Sequence, residues 1–175
     1  EGHFAEMSFL SDPESSAPII ELSPGGPGEI KALVDTSSGD SWLSAAAAHQ
    51  MNITPLAPPA FAKKANQVYD DIGGYMCIVP KMRFADLHME TALMYMRSAH
   101  GPIGPLARWQ ENPTPDAIIG CSILKAFPYV HFDFPERKLY FSATKPYKPV
   151  EDYLLASLPM KEMNGALAAE GLLDG

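Results

Sequence analysis

Short apolar runs alternate along the chain with clusters of turn formers, and no run approaches the ~18 residues a membrane helix needs. Ala17–Leu22 (APIIEL) reads as a strand, and Ser23–Gly28 (SPGGPG) as a tight turn, because Pro and Gly packed this closely cannot continue a ladder. Glu29–Val34 (EIKALV) alternates and then turns wholly apolar, as a strand does on entering a core. It runs into a polar turn, Asp35–Ser41, followed by Trp42-Leu43. Ser44–Met51 (SAAAAHQM) predicts a short helix with Ser44 at the N-cap.

Beyond a proline-rich connection at Thr54–Pro59, the pattern predicts a strand at Phe61–Tyr69, a turn at Asp70–Gly74 and a strand at Tyr75–Val79. Gly73 and Gly74 permit positive φ at such a hairpin tip. Met82–Phe84 and Leu87–Met96 follow as strands across a break at Ala85-Asp86, and Arg97–Pro115 reads as a long loop. Ala117–Gly120 predicts a short buried strand, Ser122–Ala126 a helix, and Tyr129–Phe134 with Lys138–Ser142 a hairpin. Residues 1–16 read as an N-terminal arm or the end of a preceding strand, 17–143 as the domain, and 144–175 as a tail. The tail has a second reading: Leu158–Gly175 resembles an apolar strand and small-residue turn, as at the start of a second lobe. The pattern predicts a mainly β protein with two small helices.

The 175 residues (19.0 kDa) suit one domain or a domain with a tail, and 46% hydrophobic against 19% charged residues excludes wholesale disorder. A net charge of −8 without a Lys/Arg-rich run argues against nucleic acid as a partner. The chain opens on Glu1-Gly2, which suggests a removed leader or an excised segment, so the lack of a targeting sequence says little about compartment. Cys77 and Cys121 lack zinc spacing; they suit one disulfide or two free thiols, and the expectation is free thiols. The five histidines never pair at i,i+4 or in HExxH form, so no metal or other cofactor is expected. Met76, Met82, Met89, Met94 and Met96 fit strand packing better than copper. Ser44 near His49 is a helix cap and not part of a hydrolase triad, since no GxSxG elbow exists.

The residues that carry chemistry form an ordered set. Leu33-Val34-Asp35-Thr36-Ser37-Ser38 ends an apolar strand, Asp70-Asp71-Ile72-Gly73-Gly74-Tyr75 supplies a glycine-tipped hairpin, and Asp116-Ala117-Ile118-Ile119-Gly120 precedes Ser122-Ile123-Leu124. This order resembles the retropepsin-like aspartic proteases, single-lobe relatives of pepsin, over roughly residues 17–143. Val130–Phe134 and Leu139–Phe141 look like the family's terminal hairpin. The resemblance implies an all-β fold: a closed β-barrel lobe with a flap hairpin and one or two short helices. It implies that Asp35 is catalytic, that Thr36 locks the loop through its hydroxyl, and that Ser37 and Ser38 complete it. Ile118, Ile119 and Gly120 would pack beneath, while Ile72, Gly73, Gly74 and Tyr75 would form the flap over an extended peptide. The sequence leaves the compartment open, and the resemblance to bacterial members favours an extracytoplasmic one, periplasmic or secreted.

The chemistry explains the residue types. Hydrolysis of a peptide bond by an activated water needs a base and an acid at once, and two close carboxylates sharing one proton supply both. This chain has one such Asp motif, so the second carboxylate is expected from a homodimer or a second lobe. Asp116 and Asp133 read as a turn residue and a solvated strand residue. One position departs from the family pattern: Ser37 stands where Gly is usual, and if positive φ were needed there, serine would cost about 1–2 kcal/mol. The sequence therefore implies an aspartic endopeptidase acting on peptide or protein substrates. The alternative is a catalytically weak or inactive module of the same fold that binds peptides or dimerises; a plain structural β domain is a third, weaker reading.

Overall fold

The computed structural model describes residues 4–25, 28–56, 74–97, 115–144, 158–163 and 166–169. In chain order the strands are β1 (Phe4–Ser8), β2 (Ile19–Leu22), β3 (Ile30–Val34), β4 (Trp42–Leu43), β5 (Gly74–Phe84), β6 (Leu87–Arg97), β7 (Ala117–Ile119), β8 (Tyr129–Asp133), β9 (Lys138–Ser142), β10 (Met160–Met163) and β11 (Ala166–Ala169). Among the described residues two short helices, α1 (Ala45–Gln50) and α2 (Cys121–Leu124), accompany them. The Ser44 hydroxyl accepts the Ala47 N–H at 3.1 Å, the cap that the sequence predicts.

The main sheet has the order β2-β3-β7-β4-β6-β5, with parallel pairs at β3–β7 and β4–β6. It curls until its two edges meet. Ser23, just after β2, pairs with Arg83 of β5, with Arg83 N–H donating to the Ser23 carbonyl at 2.8 Å. The Gly25 N–H adds a bond to the Pro80 carbonyl at 3.1 Å, so the lobe is a closed barrel.

Burial explains why β3 and β7 are so apolar. Ile30, Ala32, Val34, Ala117 and Ile119 face the main core, while Leu33 and Ile118 pack with Ala17, Ile19 and Trp42 in a second cluster. A strand buried on both faces cannot alternate with polar residues. Phe84, Phe127 and Phe141 meet with ring centroids 4.9–5.1 Å apart and tie the barrel to a second sheet, β1-β9-β8.

The expected arm supplies β1 of that sheet, pairing Phe4–Ser8 with β9. Arg137, in the β8–β9 turn, fixes the segment between β1 and β2. Its guanidinium donates to the carbonyls of Ser11 (2.6 Å) and Ser15 (2.9 Å) and lies 5.7 Å from the Phe9 ring centre. The predicted interruption between Tyr75–Val79 and Met82–Phe84 is corrected: β5 runs unbroken through Pro80 and Lys81. Pro80 still offers its carbonyl to Gly25, and Lys81 takes a left-handed φ of 51° while the pairing with β6 keeps one register on either side. The predicted strand Phe61–Tyr69 and most of the loop Arg97–Pro115 lie outside the described residues. Within the predicted tail, β10 and β11 form a small hairpin of their own.

Ala85 opens the tight turn between β5 and β6 at φ 49°, a region that penalises a Cβ. Ala85→Gly is therefore expected to raise stability by about 0.5–1 kcal/mol, read as a higher urea midpoint at unchanged slope.

Candidate active site

Asp35 leaves the end of β3 beside the end of β7, and its N–H donates to the Ile119 carbonyl at 3.0 Å. The loop from Asp35 to Ser41 then folds over the start of α2. Cys121 N–H donates to the Ser38 carbonyl (2.8 Å) and Ser122 N–H to the Gly39 carbonyl (2.9 Å). The Cys121 thiol reaches the Thr36 carbonyl at 3.2 Å. Beneath them Ser41, 1% exposed, accepts the Gly120 N–H at 3.0 Å and shares a hydrogen bond with the Ser122 hydroxyl at 2.9 Å. The Ser38 hydroxyl closes the turn on the Asp40 carbonyl at 2.7 Å.

Gly120 is required by space. Its φ of −97° suits any residue, but a Cβ there would lie 2.2 Å from the Asp40 carbonyl oxygen and 2.7 Å from that of Ser38. The Ile118-Ile119-Gly120 string is therefore two buried strand residues followed by a seat for the Asp35 loop.

Asp35 is half-buried, Thr36 and Ser37 are exposed, and Ser38 is half-buried. The Asp35 Oδ1 accepts two bonds from one residue: the Ser37 N–H at 2.9 Å and the Ser37 hydroxyl at 2.6 Å. Among the described residues no hydrogen bond reaches Oδ2. The carboxylate borders an apolar cleft of about 310 Å³ walled by Pro18, Leu33, Val34, Thr36, Phe132 and Phe134. Thr36 also borders a second, mostly apolar cavity of about 250 Å³ that reaches Cys121, Phe132 and Leu167 of β11. A larger cavity of about 660 Å³ lies at the barrel seam among Ser23, Lys81, Arg83 and His88, and holds no residue of the Asp35 loop.

Two expectations change here. Ser37 is not left-handed: among the described residues the non-glycine positions with positive φ are Asn52, Lys81, Ala85 and Arg137. The serine therefore carries no backbone penalty, and its hydroxyl turns back onto Asp35. Thr36 engages through its carbonyl, and among the described residues its hydroxyl makes no hydrogen bond.

Asp116 is more than a turn residue. It exchanges bonds with Lys31, accepting the Lys31 N–H on Oδ2 at 3.0 Å and donating its own N–H to the Lys31 carbonyl at 2.7 Å, so it sets the β3–β7 register. Asp133 accepts the Glu136 N–H at 3.0 Å within the β8–β9 turn. Of the expected flap residues, Gly74 and Tyr75 open β5 with Gly74 opposite Arg97, while Ile72 and Gly73 lie outside the described residues. Ser41 escaped the sequence reading as the partner of Gly120, because a serine in a polar turn carries no local signal of burial.

The chain is similar in fold to a retropepsin-like aspartic protease from Rickettsia conorii, with 12% identity and a TM-score of 0.49 over 79% of this chain and 90% of that one. It is also similar to the retroviral protease-like domain of Ddi1 from Leishmania major, with 13% identity and a TM-score of 0.43 over 79% of this chain and 98% of that one. No protein-family model and no curated protein matches the sequence. The likeness is one of fold.

Gly120→Ala is expected to cost about 3 kcal/mol, since the clash is with backbone on both sides, and urea unfolding measures it. A second expectation concerns Cys77, a buried free thiol like Cys121. Burial pushes the Cys77 thiol up from 9.0 to about 11, opposed in part by a backbone hydrogen bond from Met96. Between these two values the unfolded chain has lost the thiol proton and the folded one has kept it. Stability should therefore fall as pH rises from about 9 to about 11, and Cys77→Ala should flatten that part of the curve.

Proposed function

We propose that this chain is an aspartic endopeptidase unit that hydrolyses extended polypeptides, with Asp35 as one of two paired carboxylates. The observation that carries the reading is how Asp35 is held. It ends a strand buried on both faces, sits on a loop pinned over Gly120, keeps one carboxylate oxygen hydrogen-bonded, and borders an apolar cleft. A group fixed this firmly, yet half-exposed beside apolar walls, is arranged to meet a ligand.

The second carboxylate comes from a second copy of the chain or from a second lobe. Asp116 and Asp133 do not qualify, because each serves the backbone of its own neighbourhood. In the pair, one ionised carboxylate takes a proton from water while the protonated partner gives its proton to the scissile carbonyl oxygen. The hydroxide adds to the carbonyl carbon, and the tetrahedral intermediate then breaks its C–N bond as the leaving nitrogen is protonated. Ser38, Ser41, Ile118, Ile119 and Gly120 support the loop, and Ile72, Gly73, Gly74 and Tyr75 belong to the covering hairpin in this reading.

Because the pair must hold a single proton, cleavage should peak at acidic to mildly acidic pH and fall as that proton is lost. Asp35→Asn preserves shape and removes the shared charge. Cleavage of an unfolded protein substrate should drop by at least about a hundredfold while circular dichroism and the urea midpoint stay near the parent's. Equal cleavage by the variant would overturn the aspartic mechanism.

A further inference from the structure

We propose that Ser37 is a positioning residue for Asp35: it reserves Oδ1 as a permanent hydrogen-bond acceptor and leaves Oδ2 as the oxygen that carries the exchangeable proton. The proposal deepens the endopeptidase reading and rests on it for its catalytic meaning. Its physical basis is independent of that reading.

The geometry is specific. The Ser37 N–H and hydroxyl converge on the same oxygen, at 2.9 and 2.6 Å, and the hydroxyl distance is at the short end for O–H···O bonds. Two donors on Oδ1 satisfy that atom and fix the carboxylate plane. A proton arriving on Asp35 then settles on Oδ2, because protonating Oδ1 would set the Ser37 N–H against it and force the Ser37 hydroxyl to turn from donor to acceptor. Glycine at this position would retain the N–H donor alone. Serine adds the second donor without cost, since its backbone is not left-handed. What looks like damage to a motif thereby becomes a second ligand for the carboxylate.

The carboxylate faces few competing charges. Asp40, in the same loop, is exposed and its carbonyl, not its carboxylate, closes the turn with Ser38. The elements packed against the loop bring Pro18, Ile119, Phe132 and Phe134, with the Cys121 thiol on the Thr36 carbonyl and the exposed Lys125–Glu162 pair at the cavity beside Thr36. The Ser37 hydroxyl is thus a side-chain donor on Asp35 that a substitution can remove without touching the paired carboxylate.

Hydrogen bonds to a carboxylate favour its charged form. Removing the hydroxyl should therefore move Asp35 protonation, and with it both limbs of the pH–activity profile, to higher pH by about 0.5–1 unit. The test compares Ser37→Ala, Ser37→Gly and Ser37→Thr with the parent. One readout is the pH dependence of kcat/KM on an unfolded protein. The other is the pH titration of the backbone amide resonance of residue 37 in the folded protein, which reports protonation of the carboxylate it touches and needs no activity.

The expected result is a residue-37 amide titration that disappears in Asp35→Asn, shifts upward in the Ala and Gly variants, and returns to the parent's midpoint in the Thr variant. The pH profile should shift in parallel. Unshifted midpoints in Ser37→Ala and Ser37→Gly overturn the proposal, as does a residue-37 amide that ignores Asp35. A parent that cleaves nothing overturns the endopeptidase reading instead, and the amide titration then decides the hydrogen-bonding role of Ser37 by itself.

Discussion

The structure turns on the contact between the Asp35 loop and the backbone at Gly120. Three carbonyls of the loop, those of Thr36, Ser38 and Gly39, are taken by the thiol and N–H of Cys121 and the N–H of Ser122. The first turn of a helix has free N–H groups that must be satisfied, and here a loop supplies the acceptors in place of a capping side chain. That exchange works only because position 120 has no Cβ to hold the two segments apart. Ser41, itself hydrogen-bonded to Ser122, then takes the Gly120 N–H, and no buried side-chain polar atom among the described residues is left without a partner.

The site and the barrel seam follow different rules. Around Asp35 the strands are buried on both faces, and short backbone hydrogen bonds tie the loop to Ile119, Cys121 and Ser122. At the seam, closure depends on the Ser23–Arg83 bridge and the Gly25–Pro80 bond, beside a left-handed Lys81. Asp35 stands where packing is two-sided, and the barrel joins its edges elsewhere. The outer hairpin of β10 and β11 approaches the same region through the Lys125–Glu162 ion pair at 3.7 Å, which is solvent-exposed and contributes little energy. Its contribution is to wall the cavity beside Thr36 with Glu162 and Leu167.

Asp35 sits between two kinds of surroundings. One oxygen is anchored by short polar contacts from Ser37, while the cleft beside it is lined by Leu33, Val34, Phe132 and Phe134. Apolar walls raise the worth of any nearby electrostatic interaction by keeping the local dielectric low, and the Ser37 donors compensate the charge that such walls disfavour.

By itself the sequence determined the elements whose pattern is local. Ile30–Val34 and Ala117–Ile119 are strands because mainly apolar runs bounded by turns have few alternatives, and Ser44 caps α1 because a hydroxyl before an alanine run can take the Ala47 N–H. It also marked Asp35, Ile118, Ile119 and Gly120 as an ordered set. Tertiary structure decided whatever depends on distant partners. Only the fold brings Gly120 against Asp40 and pairs Ser41 with Ser122, residues 81 positions apart. Only the fold carries β5 through Pro80, because the acceptor there is met by Gly25 from another part of the chain. The backbone at Ser37 likewise could not be read from residue type: a glycine-favoured position and an ordinary turn look alike in sequence, and what separates them is φ, which the packing of the whole loop fixes.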